Sequence, residues 1–453
     1  MVKKFFSIIF TIFLLFGVVS SAFTASAYEV TGFEVSAEYS MIASLDTDEI
    51  IYEKNIDTKL YPASITKIMT AIIILESEKY NPKAKITMTR EILDMVLGTG
   101  SAVSNIREGE TFYQKDLMYL ILMSSAGDCT YLAAQHFGGS VDNFVKLMND
   151  KAKELGLENT RYANPVGLHD ENNYTTVRDI FTLTKYALKN KTFKEICETS
   201  RYTMPATNYS GERTLTSTND LQNSNNPNYY QYAKGVKTGF TDEAGRCLVS
   251  TASYGGYNYM CIVMKCPNDG TGRHFKDSIE LYRWAFNNFS FKEVANSTEP
   301  VCEMPLELSL DTDFVPLYFK QPFITILPNE ADDSTIKVVP ILKKDEIKNK
   351  SVVEAPVKKG DVLGVAEIYY AEKLIGTVDL VVAEDIPASK LLVGVKKVKA
   401  FFSSSYMKIL YGVVAIAIII FIILVIRLNM ALIKRRKVRY VPMKKREKNR
   451  YDK

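Results

Sequence analysis

Tyr61-Pro62-Ala63-Ser64-Ile65-Thr66-Lys67-Ile68-Met69-Thr70-Ala71 sets a serine hydroxyl and a lysine amine three residues apart at what reads as a helix start. Residues at i and i+3 share a helical face, so the two side chains can meet. Pro62 suits a first turn, and Ile68, Met69 and the apolar run 71–75 continue the helix. A serine there lies near the positive helix end, where negative charge is favoured. A lysine within reach can take its proton once burial or a second cation lowers the amine's pKa. Ser64 and Lys67 are therefore a candidate nucleophile and base.

The tetrapeptide pattern alone carries little information, because Ser334-Thr335-Ile336-Lys337 and Ser405-Tyr406-Met407-Lys408 match it too. The first lies in a β-rich segment beside Asp332 and Asp333, and the second abuts a long apolar run. Neither shows a helix start before it or a companion motif.

With 453 residues, 47% hydrophobic and 24% charged, the chain is long enough for two globular domains. Lys3 and Lys4, the apolar run 5–19 and Ala25-Ser26-Ala27 have the layout of a secretory signal peptide over residues 1–27, cleaved before Tyr28. A retained signal anchor is the alternative. Residues 409–426 form an unbroken apolar stretch close to the ~20 residues that span a bilayer. The tail 427–453 carries twelve Lys and Arg against Glu447 and Asp452, which places it in the cytoplasm and the body outside. Next to a membrane segment, such a tail reads as a topology signal that touches anionic lipid. It also conceals the charge of the body: the whole chain is +4, whereas residues 5–426 sum to −8, against nucleic acid as the ligand.

The six cysteines are scattered, unlike a disulfide framework, and show no metal-ligand spacing. They read as buried thiols with at most an incidental bridge. His136, His169 and His274 are the only histidines, too few for a zinc site, and no Gly-x-Ser-x-Gly frames a serine for a Ser-His-Asp triad. Neither a metal nor a cofactor is expected.

Residues 28–297 alternate strand-like and helical segments. Residues 35–46 and 50–52 predict a hairpin, with helices over 64–77, 114–122, 129–137, 141–155, 176–189 and 276–287. Strands follow over 247–254 and 257–266, turning at Gly255-Gly256. Strands at both ends with helices between predict one sheet formed from the two termini, an α/β class. Residues 298–388 read as a small all-β domain without clustered catalytic groups, hence a spacer or docking module. In 389–408, Leu391, Val395, Val398 and Phe402 recur at helical spacing among lysines, as in a basic amphipathic segment on a bilayer surface. An extended linker is the alternative.

Two further elements complete the candidate site. Lys237-Thr238-Gly239 sits in a glycine-bounded β-type segment that lets a ligand approach the backbone. Its lysine and hydroxyl could hold a carboxylate, and Lys237 could depress the pKa of Lys67. The bland reading is a turn. Ser124-Ser125-Ala126-Gly127-Asp128-Cys129 lies between two helical runs, where the Ser125 hydroxyl could relay a proton to a leaving group. Its bland reading is a helix-helix connection capped by Asp128 or Ser125.

In this order the three elements resemble the penicillin-recognising serine acyltransferases and hydrolases, specifically the low-molecular-weight D-alanyl-D-alanine carboxypeptidases. The resemblance covers roughly residues 35–386. It takes in Arg107-Glu108-Gly109-Glu110, Asn164-Pro165-Val166-Gly167-Leu168, Ser217-Thr218-Asn219, Pro356-Val357-Lys358-Lys359-Gly360-Asp361 and Ala383-Glu384-Asp385-Ile386. It implies a β-lactamase/transpeptidase-like domain with an antiparallel sheet flanked by helices, then the β domain and a C-terminal transmembrane helix. It further implies that Ser64 attacks the bond between two D-alanines of a peptidoglycan stem peptide, with Lys67 as base and Ser125 as proton relay. Lys237, Thr238 and Gly239 would bind the substrate, with Lys237 and Thr238 on its terminal carboxylate. The backbone N–H groups of Ser64 and Phe240 would form an oxyanion hole, and β-lactams would acylate Ser64.

One departure stands out. The family's usual third residue in the second element is asparagine, and here it is Gly127. Loss of that side chain implies reduced or altered activity, with water or Asp128 in its place. The rival enzyme is a β-lactamase, whose deacylating glutamate would have to be Glu158 or Glu171, neither in a Glu-x-x-Leu-Asn setting. The rival of another class is a non-catalytic wall-binding scaffold.

Overall fold

The computed structural model describes residues 32–344 and 350–435. The signal-peptide reading of 1–27 and the tail beyond residue 435 lie outside the described residues.

Strands β1 (Tyr39–Ser44) and β2 (Ile50–Lys54) form the expected hairpin. β1 starts later than the pattern from residue 35 predicts, because the Asp277 carboxylate accepts from Ser36 Oγ at 2.8 Å and Ala37 N at 2.9 Å. A 3₁₀ turn (Ala63–Thr66) then runs into helix α1 (Lys67–Leu75), so the serine sits on the turn and the α-helix begins at the lysine. Three residues per turn eclipses i and i+3, bringing Ser64 over Lys67.

The chain continues through β3 (Lys85–Thr87), α2 (Arg90–Val96), β4 (Thr111–Tyr113), α3 (Gln114–Leu122), α4 (Gly127–Gly138), α5 (Val141–Glu154), α6 (Val177–Ala187) and α7 (Lys191–Glu198). Side-chain caps set several starts: Ser140 accepts from Asn143 N before α5, and Thr176 from Asp179 N before α6. After the small pair β5 (Arg201–Met204) and β6 (Arg213–Thr216) come β7 (Ala233–Thr241), β8 (Gly245–Tyr254), β9 (Tyr257–Cys266) and α8 (Arg273–Asn288).

The main sheet is antiparallel in the order β2-β1-β9-β8-β7. Alternation along β1 sends Met41 and Ala43 to the core around α1 and Ile42 to the opposite core under α8. Seven of the nine residues of α1 are buried, against α3, α4, α5 and α6. Each fully buried isoleucine there contributes about 1.5–3 kcal/mol, which fixes the helix carrying Lys67.

This compact unit also takes in Pro322–Lys337 and Tyr369–Ile375, so that β10 (Phe289–Ala295) pairs with β13 (Phe323–Pro328). The second unit holds β11 (Cys302–Glu307) and β12 (Phe314–Phe319). With β14 (Ile336–Leu342), β15 (Val353–Glu354), β16 (Val362–Tyr370) and β17 (Lys373–Val382) they form a six-stranded sheet, the C-terminal all-β domain.

Helix α9 (Lys390–Ser403) starts at Ser389, whose hydroxyl accepts from Leu392 N, and exposes Leu391, Val395, Val398 and Phe402. The segment is thus a helix and not an extended linker. Helix α10 (Ser405–Arg435) follows, long and apolar enough to cross a membrane. Ser405 and Lys408 lie in its exposed first turn, so this second match does have a helix start, contrary to the sequence reading, because the helix begins upstream of the apolar run. All six cysteines are unpaired thiols, five of them buried.

Candidate active site

Lys67 is 1% exposed, with its Nζ 2.8 Å from Ser64 Oγ and donating to the Val166 carbonyl at 2.7 Å. Burial, and then the nearby Lys237 cation, hold the amine's pKa well below the ordinary lysine value, with Asp128 pulling the other way. A neutral amine that spends one N–H on Val166 keeps its lone pair for the Ser64 proton.

The 164–168 loop fixes that geometry. Asn164 Oδ1 accepts from the N–H groups of Val166, Gly167 and Leu168, while its Nδ2 donates to the Leu168 carbonyl at 3.0 Å. The Thr70 hydroxyl donates to the Pro165 carbonyl at 2.6 Å, tying the loop to α1. Gly167 has φ +89°, and a Cβ there would sit 1.8 Å from the Ala63 carbonyl oxygen. Only glycine lets the loop press this closely on the turn that carries Ser64.

Ser125 adopts φ +57° between α3 and α4 and is 9% exposed. The Lys237 amine, 1% exposed on β7, donates to Ser125 Oγ at 3.1 Å and to the Thr238 carbonyl at 2.9 Å. Burial pushes its pKa down to about 7. The Thr238 hydroxyl lies 2.6 Å from that of Thr218, itself held by Thr218 N donating to Met123 O. A Cβ on Gly239 would lie 3.2 Å from Ser64 N, so β7 passes tightly beside the turn. Phe240 follows, 37% exposed, with the Arg246 guanidinium 4.4 Å from its ring centre.

Ser64, Ser125, Thr238, Gly239 and Phe240 line one cleft of about 820 Å³, beside the buried Lys67 and Lys237. The predicted site residues thus converge from three elements far apart in sequence. Glu158 and Glu171 are exposed and do not line this cleft, so neither stands where a deacylating glutamate must. Asp128 does not replace the missing asparagine. Its carboxylate is buried, accepting from Ser104 N, Ser104 Oγ and Cys129 N.

Of the histidines, only His169 and His274 reach the cleft wall, and among the described residues no group of three His, Cys, Asp or Glu is placed to hold a metal ion. Sequence reasoning missed Thr218, which meets Thr238, and the Val166 carbonyl, which meets Lys67. For Thr218 the tripeptide Ser217-Thr218-Asn219 was a signal, but only the fold shows which hydroxyl meets β7.

Residues 22–268 match the family model described as D-alanyl-D-alanine carboxypeptidase, and residues 308–388 that of the penicillin-binding protein 5 C-terminal domain. The D-alanyl-D-alanine carboxypeptidase DacF of Bacillus subtilis (strain 168) is 29% identical over 366 residues, 78% of this chain and 87% of that protein. The Streptomyces K15 DD-transpeptidase structure aligns at TM-score 0.53 and 29% identity, covering 57% of this chain and 100% of its own. Penicillin binding protein 5 from Haemophilus influenzae aligns at TM-score 0.62 and 24% identity, covering 79% and 100%, which speaks to the fold.

Proposed function

Since the chain belongs to the D-alanyl-D-alanine carboxypeptidase family, we propose that its cleft removes the terminal D-alanine of peptidoglycan stem peptides through an acyl-enzyme on Ser64. The chain is a serine hydrolase of this family. The observation that carries the assignment of roles is the 2.8 Å approach of a buried amine to Ser64 Oγ. Ser64 Oγ attacks the carbonyl carbon between the two D-alanines while Lys67 takes its proton. The N–H groups of Ser64 and Phe240 hold the resulting oxyanion, a reading supported by the tight passage of Gly239 beside Ser64 N. Collapse breaks the C–N bond, and the proton passes from Lys67 through Ser125 to the departing amine. Lys237 and Thr238 hold the terminal carboxylate, and Gly239 admits it to the backbone. Water then attacks the ester with Lys67 as base again. β-Lactams take the first step, but their leaving nitrogen stays tethered to the acyl group.

We read residues 28–297 as the catalytic body behind a signal peptide at 1–27, and 298–388 as the β-rich domain. Helix α10 can anchor the protein. In this reading 409–426 spans once, the body lies outside, 427–453 is cytoplasmic, and the basic segment 389–408 rests on anionic lipid.

Mass spectrometry of penicillin-treated protein, beside D-alanine release from a stem pentapeptide by wild type and Ser64→Ala, tests the mechanism. An adduct on Ser64 and loss of both signals in the variant are expected. An adduct on any other residue, or none, overturns it.

A further inference from the structure

Gly127 leaves a gap in the second catalytic element, and the structure fills it from elsewhere in the chain. An ideal Cβ at Gly127 would fall 2.1 Å from Ser101 Oγ and 3.0 Å from Ser101 Cβ, so the Ser101 hydroxyl occupies the place where a side chain at 127 would begin. The loop that delivers it is held firmly. Gly98 and Gly100 bend it at φ +75° and +73°, Gly127 N donates to Ala102 O at 2.7 Å, and Ser104 is bound to the buried Asp128 carboxylate. Ser101 lines the same cleft as Ser64 and Ser125.

We infer that Ser101 supplies the side-chain hydrogen bond to the acyl-side amide of the peptide substrate, the amide that precedes the scissile bond. The inference rests on the acyl-enzyme reading of the cleft. That amide is stripped of water on entry and needs a partner. Ser125, Lys237 and Thr238 are engaged with one another and with Thr218. On the 97–102 wall, Thr99 Oγ already donates to Val96 O at 2.9 Å and accepts from Ser101 N. The Ser101 hydroxyl has, among the described residues, only a long 3.4 Å bond to its neighbour's carbonyl, Ala102 O. It is therefore the hydroxyl on that wall left free to serve as donor and acceptor.

The test compares two substrates that differ only in the acyl-side amide: an N-acyl-D-Ala-D-Ala peptide, and its analogue with CH₂–CH₂ in place of that amide. Wild type should favour the amide by about tenfold in kcat/KM, the value of one good hydrogen bond, and Ser101→Ala should reduce the ratio to about twofold or less. Gly127→Ala should do the same by displacing Ser101, whereas Ser101→Gly with Gly127→Asn should restore the preference. Ser101→Thr against Ser101→Val repeats the comparison should the alanine variant not fold, with the ratio kept by the first and lost by the second. A wild-type ratio in Ser101→Ala or Ser101→Val overturns this inference alone. Failure of the wild type to release D-alanine or to be acylated at Ser64 overturns the cleft reading and this inference together.

Discussion

Replacing Gly167 with alanine tests whether the Lys67–Ser64 geometry depends on the 164–168 loop. The new Cβ would stand 1.8 Å from Ala63 O, and it cannot settle nearer than about 3 Å, so the loop or the turn must shift by about 1.2 Å. The residue would also be held at φ +89°, costing about 1–2 kcal/mol for a non-glycine. The moved parts are the Val166 carbonyl that orients the Lys67 amine and the turn that carries Ser64. A misplacement of about 1 Å at a reacting pair costs on the order of 100-fold in rate. Penicillin acylation followed by stopped-flow or gel fluorescence should therefore slow by about two orders of magnitude, with a lowered melting temperature. A variant acylated at the wild-type rate would show that the loop does not set the Lys67–Ser64 geometry.

Other outcomes follow from the same contacts. The pH profile of kcat/KM should be bell-shaped: raising pH frees Lys67 as base, while the alkaline limb, near 7 in the free enzyme, follows loss of the Lys237 charge. Lys237→Arg, which stays charged, should remove that limb, and a limb that persists would contradict the assignment. Arg213→Met leaves the buried Glu110 carboxylate without its cation and should cost about 3 kcal/mol in urea unfolding, with much of it recovered by adding Glu110→Gln. Equal stability with and without Arg213 would mean that the ion pair is idle. A chain ending at Ser404 should lose α10 anchoring but keep a salt-sensitive association with anionic vesicles through α9, and salt-resistant binding would count against it.

Much of the site was legible because its chemistry is local. The Ser64–Lys67 spacing, the apolar face of α1 and the glycines of β7 each carry their meaning within a few residues. The helix at Gln114–Leu122 was readable from its period, whereas α2 and α7, of seven and eight residues, are too short for two turns of pattern to repeat. The tertiary parts stayed hidden. Nothing near Gly127 announces that Ser101 fills its space, since only the Ala102–Gly127 and Ser104–Asp128 bonds bring the two segments together. The Lys67–Val166 bond joins residues 99 apart in sequence and was equally invisible.

The placement of β1 between β2 and β9 governs when the enzyme can switch on. A nascent chain that has reached α7 already carries Ser64, Lys67 and Ser125, but β1 still lacks the partner that arrives at residues 259–264. Lys237, which adds to the effect of burial in lowering the pKa of Lys67 and which meets Ser125, is also missing until β7 is made. The cleft is thus left incomplete until nearly the whole body is synthesised, so a stalled fragment carries Ser64 and Lys67 without the strands that enclose them.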